Sequence, residues 1–297
     1  MRSASGKSVF RPARSLVALA ALAAAIAAQP ALAAAGKTWL PELKRAGAVI
    51  WAVGDGATGG VDGRAVGSLV SAGDPDRFIY LGDVYDSGTA EEFAKNYGPL
   101  FGPLDSLAAP VFGNHEWANR ALGYVPYWVS ARGRKPPSWY SLKVSGWQLL
   151  GLNTVERHDA DSPQARWLRS KLRRSKRLGN CRIAFMHHPR FSASLHGDTD
   201  DVGPLWQLLA GRARLALAGH DHSYQRFGPV GGLIQVVSGA GGASLYPVDP
   251  DARLAAAVDD RFGAVRIVLR SRIARLQFVA VGGAVLDEKK LRCKRRA

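Results

Sequence analysis

Short apolar runs recur along the chain, and each ends on a glycine that is followed by a polar residue. They occupy positions 49–53, 78–81, 110–112 and 215–218, and the pairs that follow them are Gly54-Asp55, Gly82-Asp83, Gly113-Asn114 and Gly219-His220. An uninterrupted apolar run of this length is typical of a strand that is buried on both faces of a sheet. Because glycine lets the chain turn sharply and approach a ligand closely, the pattern predicts four strand ends that meet at one site.

Helical patterns lie between these strands, for example at residues 90–97 and 204–210. Alternation of strands and helices predicts an α/β fold, in which ligands collect beyond the carboxyl ends of the strands. Residues 140–153 and 262–286 differ, because they contain closely spaced β-rich runs with few helix signals. These two segments predict antiparallel hairpins.

The first 33 residues have the pattern of a secretory signal peptide. Four basic residues precede an Ala/Leu-rich run at 16–28, and Ala31-Leu32-Ala33 has the small-x-small pattern of a cleavage site. We therefore expect export to the periplasm, the cell envelope or the medium, with no stable membrane insertion after cleavage. An uncleaved anchor is the alternative. A single domain over residues 34–297 is the simplest partition of the rest.

Export also changes how the two cysteines are interpreted. Cys181 and Cys293 are the only cysteines of the chain. Outside the cytosol such a pair can persist as a disulfide, which would tie the C-terminal tail to a central segment. Two unrelated thiols are the alternative.

Composition excludes a disordered chain, since 47% of the 297 residues are hydrophobic. The formal net charge of +16 is local: seven basic residues lie at 166–177, six lie at 289–296, and outside these clusters and the signal segment 23 basic residues face 24 acidic ones. The first cluster follows Ser162-Pro163, a helix start, so we expect a solvated basic helix face. Weak attachment to anionic surfaces is the alternative, and no specific nucleic-acid motif is present.

Histidines are concentrated beside the strand-end turns. Six of the seven lie there or in one further segment, namely His115, His187, His188, His196, His220 and His222. Mixed carboxylate, amide and imidazole ligands suit Fe, Zn or Mn and argue against copper or an iron–sulfur cluster. The set predicts a site for two metal ions rather than a purely structural cluster.

The order Gly-Asp, Gly-Asp, Gly-Asn-His-Glu, His-His-Pro and Gly-His-Asp-His, between Ala48 and Arg226, resembles the calcineurin-like metallophosphoesterase superfamily and its secreted purple acid phosphatase-like branch. The resemblance implies a four-layer α-β-β-α sandwich with two mixed β-sheets flanked by helices. It also implies two divalent or trivalent ions, Fe with Zn, Mn or Fe, and a small phosphate-ester substrate.

The resemblance assigns a role to each matching residue. Asp83 would bridge both ions, and His115 would protonate the leaving group. His196 would contact the substrate or support a ligand, whereas His188 would not be a ligand and would point toward packing or substrate. The remaining ligands would be Asp55 and His222 for the first ion, and Asn114, His187 and His220 for the second.

Two departures from the family pattern concern the first ion. Gly56-Ala57 follows Asp55 where ordinary members carry Asp-x-His, so that histidine ligand is missing. The purple branch has a tyrosine three residues after the bridging aspartate, but here Tyr85 stands two residues after Asp83 and Asp86 stands third. We expect Tyr85 to coordinate if the loop is one residue tighter, with Asp86 or water as the alternative.

The leading hypothesis is an exported phosphoesterase that hydrolyses phosphomonoesters by in-line attack of a metal-bridging hydroxide. A phosphodiesterase or nucleotide hydrolase on the same site is one alternative, and a catalytically weak metal-binding surface protein is another. Monoesters carry an extra negative charge, for which Arg190 is a candidate partner. The alternative role for Arg190 is a surface ion pair.

Overall fold

The computed structural model describes Met1 and residues 38–175 and 178–294. The predicted signal peptide, residues 1–33, lies outside the described residues, and so do Lys176, Arg177 and the last three residues. The chain from Thr38 onward forms one compact unit. The partition into a signal peptide and a domain that begins at residue 34 stays a prediction.

Strands and short helices alternate along the described residues. The strands are β1 (Ala48–Val53), β2 (Arg77–Tyr80), β3 (Ala108–Pro110), β4 (Tyr140–Val144), β5 (Trp147–Gly151), β6 (Arg182–Phe185), β7 (Leu215–Ala218), β8 (Tyr224–Phe227), β9 (Ile234–Ser238), β10 (Leu254–Val258), β11 (Gly263–Arg270), β12 (Ile273–Ala280) and β13 (Val285–Arg292). The α-helices are α1 (Val61–Ala72), α2 (Ala90–Glu92), α3 (Gly98–Phe101), α4 (Asn114–Trp117), α5 (Tyr124–Arg132), α6 (Pro163–Arg174) and α7 (Gly203–Leu209). A π-helical segment, Phe93–Tyr97, joins α2 to α3, and 3₁₀ turns occur at Gly102–Leu104 and Asp200–Val202.

The strands form two mixed sheets. The first has the order β13-β12-β11-β1-β2-β3, and the second has the order β10-β8-β9-β7-β6-β5-β4. Each contains a parallel part, β1-β2-β3 in the first and β5-β6-β7-β9 in the second. The predicted fold, two mixed sheets with flanking helices, is therefore confirmed.

Side chains of β6 show how the layers are held together, because they alternate between two apolar cores. Ile183 and Phe185 belong to the main core, which also contains residues of the first sheet. Ala184 and Met186 belong to a second core, which α6 and α7 cover. Alternation along a strand sends neighbouring side chains to opposite faces of its sheet. The central strands β1, β2, β6 and β7 are buried almost throughout, as the apolar runs indicated.

Most predicted elements appear close to where the sequence places them. The segments at 140–153 and 262–286 form the β4–β5 hairpin and the β11–β12–β13 meander. The predicted strand at 110–112 is wrong by two residues, because the ladder with β2 ends at Pro110. Val111 and Phe112 are buried in the turn that follows, so their apolar character reflects burial rather than pairing.

The second sheet and the C-terminal tail are joined covalently. Cys181, directly before β6, forms a disulfide with Cys293, directly after β13. The cysteines are therefore paired, as the first interpretation expected, and are not two unrelated thiols. Among the described residues, no helix is both long enough and apolar enough to cross a bilayer.

Candidate metal centre

The turns after β1, β2 and β7 carry their polar residues in an unusual backbone conformation. Asp55, Asp83 and His220 have φ angles of 61°, 70° and 73°, in the left-handed region. That region costs an L-residue roughly 1–2 kcal/mol, and such residues cluster at functional sites. The local strain points to a site at the carboxyl ends of these strands.

The glycines of these turns leave no room for a side chain. A Cβ added to Gly113 would lie 2.0 Å from Asp83 Oδ1, and one added to Gly82 would lie 2.7 Å from His187 Nδ1. The strand ends therefore pack against one another, and each glycine admits the functional side chain of a neighbouring turn. This close packing explains why the same dipeptide pattern recurs along the chain.

One group of potential metal-ligand atoms surrounds the Tyr85 hydroxyl, and we call it the first donor group. It lies 3.2 Å from Asp55 Oδ1, 3.2 Å from Asp83 Oδ2 and 2.8 Å from His222 Nε2. Because Nδ1 of His222 donates to the Ser244 carbonyl at 2.8 Å, its Nε2 is left to face the group. The structure thus brings together the ligands that the resemblance assigns to the first ion, including the displaced Tyr85.

Asp86, the alternative to Tyr85, lies at the rim. It is exposed, its amide donates to Glu92 Oε1 at 2.6 Å, and its carbonyl accepts a hydrogen bond from His115 Nδ1 at 2.5 Å. Among the described residues, no hydrogen bond links the Asp86 carboxylate to the donor group. Tyr85, not Asp86, occupies the inner position.

A second group of potential metal-ligand atoms, the second donor group, adjoins the first through Asp83. His187 Nε2 lies 2.8 Å from Asn114 Oδ1, 3.4 Å from Asp83 Oδ1 and 3.2 Å from His220 Nδ1. Nδ1 of His187 donates to the Leu81 carbonyl at 2.8 Å, so a neutral imidazole presents a lone pair to the amide oxygen. An imidazole nitrogen and an amide oxygen at this distance fit two ligands of one cation. The donor set therefore fits two metal ions that share Asp83.

Electrostatics point to the same conclusion. Burial and the neighbouring Asp83 raise the pKa of Asp55, and burial also raises the pKa of Asp83. Burial and nearby imidazoles lower the pKa values of His187 and His220. His187 and His220 are therefore neutral and can offer a lone pair to a metal ion. The carboxylates of Asp55 and Asp83 lie close together without a positive charge that would balance them. Bound cations would compensate both effects.

Glu116 connects the turns that follow β2 and β3. Its carboxylate accepts hydrogen bonds from the amides of Gly113 at 2.7 Å and Val84 at 3.2 Å. Burial and the nearby Asp83 raise the pKa of Glu116 to about 8. The contact holds the β2 and β3 turns in register, and it is a role that the Gly-Asn-His-Glu motif alone did not reveal.

His115 and His196 lie beside different residues of the donor groups. The His115 ring is 4.4 Å from the Tyr85 ring, and its Nε2 is 3.8 Å from Asp83 Oδ2. The His196 ring is 4.1 Å from the His220 ring, and Asp221, which is fully buried, accepts a hydrogen bond from His196 Nδ1 at 2.8 Å. Both imidazoles can therefore reach a molecule bound over the centre.

Two expectations change with the structure. One ring nitrogen of His188 lies within 4.8 Å of a ring nitrogen of His187 and one of His220, so His188, which was not expected to be a ligand, lies beside the second donor group. Arg190 Nη2 lies 2.9 Å from Asp200 Oδ1, so Arg190 forms an ion pair rather than a free cation for substrate. Both outcomes depend on tertiary contacts that motif spacing does not encode.

Tyr246 is a residue of the site that sequence reasoning missed. Its ring stacks on His222 with centroids 4.1 Å apart and planes at 18°. It lines a cavity of about 530 Å³ that also borders Tyr85, Asp86 and His222. Tyr246 follows β9 in a loop without a motif, so no local signal could have found it.

Comparison with known proteins places these features in a family. The calcineurin-like phosphoesterase family model matches residues 63–224, more than half of the chain. Purple acid phosphatase 21 of Arabidopsis thaliana is 27% identical over 176 residues, which cover 53% of this chain and 40% of that protein. Probable purple acid phosphatase 20 of the same plant is 26% identical over 180 residues, which cover 54% and 42%. This chain spans about two fifths of the length of the curated relatives that it matches.

Solved structures share the fold at low identity. The purple acid phosphatase PPD1 from yellow lupin seeds superposes with a TM-score of 0.67 at 16% identity, over 85% of this chain and 55% of that one. GAP50, the anchor in the inner membrane complex of Plasmodium, gives 0.68 at 15% identity, over 85% and 90%. The family match, the two mixed sheets and the donor groups at their strand ends agree, and the chain belongs to the calcineurin-like phosphoesterase family.

Proposed function

We propose that the chain is an exported phosphatase with two metal ions, Fe with Zn, Mn or Fe, that hydrolyses small phosphomonoesters. The observation that carries the proposal is that Asp83 lies between two donor groups, one around the Tyr85 hydroxyl and one around His187 Nε2. A shared carboxylate between two such groups is the arrangement that binuclear hydrolysis requires. The N-terminal pattern of residues 1–33 supports export.

The proposed ligands divide between the two ions as the resemblance suggests. Asp55, Tyr85 and His222 would hold the first ion, Asn114, His187 and His220 would hold the second, and Asp83 would serve both. When bound, the ions would supply Lewis acidity toward the phosphoryl oxygens and a nucleophile near neutral pH.

His115 is the proposed acid for the leaving group. Its Nδ1 donates to the Asp86 carbonyl, so its Nε2 is the nitrogen that faces the centre. His115 is one-third exposed, so solvent reaches its ring. His196, held by Asp221, is proposed to bind a phosphoryl oxygen.

Preference for monoesters is supported by the relatives named purple acid phosphatases and by the imidazoles of His188 and His196 beside the second donor group. Hydrogen bonds from side chains at these positions would stabilise the additional charged oxygen of a monoester. Comparison of p-nitrophenyl phosphate with bis-p-nitrophenyl phosphate tests the preference. A higher kcat/KM for the diester would assign the chain to the phosphodiesterase alternative.

Metal content and activity test the proposal directly. We expect the wild type to bind two ions per chain and to hydrolyse p-nitrophenyl phosphate, whereas Asp83→Asn loses metal and at least 10²-fold in kcat/KM, on the order expected when a key charged group of a site is removed. Asp200→Asn, an exposed partner of Arg190, is the control and should retain both. One ion or none in replenished wild type would instead support the metal-binding surface protein.

Leaving-group dependence tests the role of His115. We expect His115→Ala to keep both ions but to lose kcat mainly on alkyl phosphates, whose leaving groups need a proton, and less on p-nitrophenyl phosphate. Equal losses on both substrate classes would contradict the assignment.

A further inference from the structure

A second cavity, far from the metal centre, is lined by positive charge. It has a volume of about 710 Å³, and the cationic side chains in its wall are Arg169, Arg173, Arg182, Arg212 and Lys294. The other lining residues are Leu172, Gly179, Asn180, Leu208 and Gly211, so among the described residues no acidic side chain lines it. We refer to it as the basic pocket.

The basic pocket joins two clusters that are distant in sequence. The helix α6 supplies Arg169 and Arg173, and the C-terminal tail supplies Lys294. The Cys181–Cys293 disulfide holds the tail in place, and the Lys294 amide donates to Asn180 Oδ1 at 2.7 Å. Tertiary structure thus gathers into one cavity charges that looked like two separate solvated surfaces.

Most of these charges have no carboxylate partner. Within residues 38–175 and 178–294, Arg169, Arg173, Arg212 and Lys294 form no salt bridge. Arg182 forms the floor of the pocket: it is 1% exposed, and its guanidinium donates to the carbonyls of Ser175 at 2.6 Å and Arg212 at 2.9 Å. A cavity lined by charges of one sign has a positive potential that attracts anions.

The basic pocket is separate from the metal centre. Arg182 begins β6, whereas His187 follows the end of that strand. Five residues of extended chain span about 16 Å, so the two sites lie at opposite ends of the second sheet. A ligand in the pocket is therefore not the phosphate ester that reacts at the metals, and the inference goes beyond the proposed function.

We propose that the basic pocket binds a compact ligand with several phosphate groups, such as an oligophosphate chain. Its volume exceeds the space that one phosphate needs, and arginines suit bidentate contacts with phosphate oxygens. No aromatic side chain among its lining residues offers a stacking surface for nucleic-acid bases, and no exposed large apolar side chain lines it for insertion into lipid.

Calorimetry with tripolyphosphate tests the proposal on the full mature protein. The double variant Arg173→Ala/Lys294→Ala removes two exposed charges of the pocket, one from α6 and one from the tail. The matched control, Arg174→Ala/Lys290→Ala, removes two exposed charges from α6 and β13 that do not line the pocket. We expect the pocket variant to lose on the order of tenfold in affinity and the control to lose less than about twofold.

Any binding of tripolyphosphate at the metal centre would contribute equally to the measured affinity of both variants. Both variants should also hydrolyse p-nitrophenyl phosphate at the wild-type rate. The outcome is thus independent of the proposed catalytic function. Hydrogen exchange should show protection in α6 and residues 178–182 when tripolyphosphate is added to the wild type. Equal losses in both variants, no loss in either, or tighter pocket-dependent binding of single-stranded RNA or phosphatidylserine vesicles would overturn the proposal.

Discussion

Tyr85 shows how a single residue can keep a role although its spacing changes. It stands one position closer to Asp83 than the tyrosine of purple acid phosphatase-like members, yet its hydroxyl contacts Asp55, Asp83 and His222 within 3.2 Å. Burial and the two carboxylates raise the pKa of its hydroxyl far above the usual value. Ionisation of this group near neutral pH therefore requires a strongly charged ion beside it.

The colour of the iron-loaded protein reports on this residue. We expect ferric iron in the wild type to give a purple charge-transfer band, and Tyr85→Phe to abolish it because the phenolate ligand is lost. Asp86→Asn is the matched control, since Asp86 is adjacent but exposed, and it should keep the band. A visible absorption spectrum that responds to Asp86→Asn and not to Tyr85→Phe would reverse the assignment.

Among the elements, β13, an edge strand of the first sheet, contacts β8 of the second sheet. Asp287 of β13 accepts hydrogen bonds from Arg226 Nε at 2.7 Å and Nη2 at 2.8 Å, and from the Tyr224 hydroxyl at 2.6 Å. The Tyr224 ring also stacks on Phe278 of β12, with centroids 4.3 Å apart. The largely buried ion pair and the aromatic contact thus connect the two sheets on one side of the sandwich.

Removal of this ion pair should weaken the sandwich in a pH-dependent way. Burial raises the pKa of Asp287, but the hydrogen bonds from Arg226 and Tyr224 outweigh it and hold the pKa below its usual range. A lowered pKa contributes stability above the unfolded value near 4, and the contribution is lost as pH falls through the folded value. We expect Asp287→Asn to lower the free energy of unfolding by about 3 kcal/mol at pH 7 and by less in acid.

Urea denaturation of both proteins between pH 3 and 7 measures this difference. Asp260→Asn removes a surface partner of Arg261 and serves as the control, with an expected change below about 0.5 kcal/mol. A difference between wild type and Asp287→Asn that stays constant across this pH range would show that the carboxylate charge is not the cause.

At the scale of the whole molecule, the disulfide closes a large loop. Cys181 and Cys293 are 112 residues apart and are both buried. A cross-link over a loop of this length stabilises a protein by about 5 kcal/mol on the chain-entropy model. It joins the start of β6 in the second sheet to the end of β13 in the first.

We expect the double variant Cys181→Ala/Cys293→Ala to lower the free energy of unfolding by about that amount, with little change in metal content, because the bridge lies at the opposite end of β6 from His187. Denaturation of the wild type with and without reductant measures the same quantity. Reductant should not affect the double variant, and a reductant effect there would point to another cause.

Local patterns in the sequence were sufficient for the α/β class and for most strand ends, whereas the candidate ligands came from the family resemblance and stay a prediction. A strand that is buried on both faces needs a run of apolar residues. Close packing at the strand ends needs a glycine before Asp55, Asp83, Asn114 and His220. Both features can therefore be recognised in short stretches of the sequence. The outward-facing basic residues of α6 were also predictable, because they follow from helical periodicity.

Only tertiary structure decided the rest. Four features of the site depend on contacts that periodicity and motif spacing do not encode. They are the position of Tyr85, the position of His188 beside the second donor group, the Arg190–Asp200 ion pair and the stacking of Tyr246 on His222. The basic pocket is the clearest case, since a disulfide across 112 residues brings Lys294 to Arg173. Sequence spacing carries no information on such contacts, because they depend on where distant segments meet.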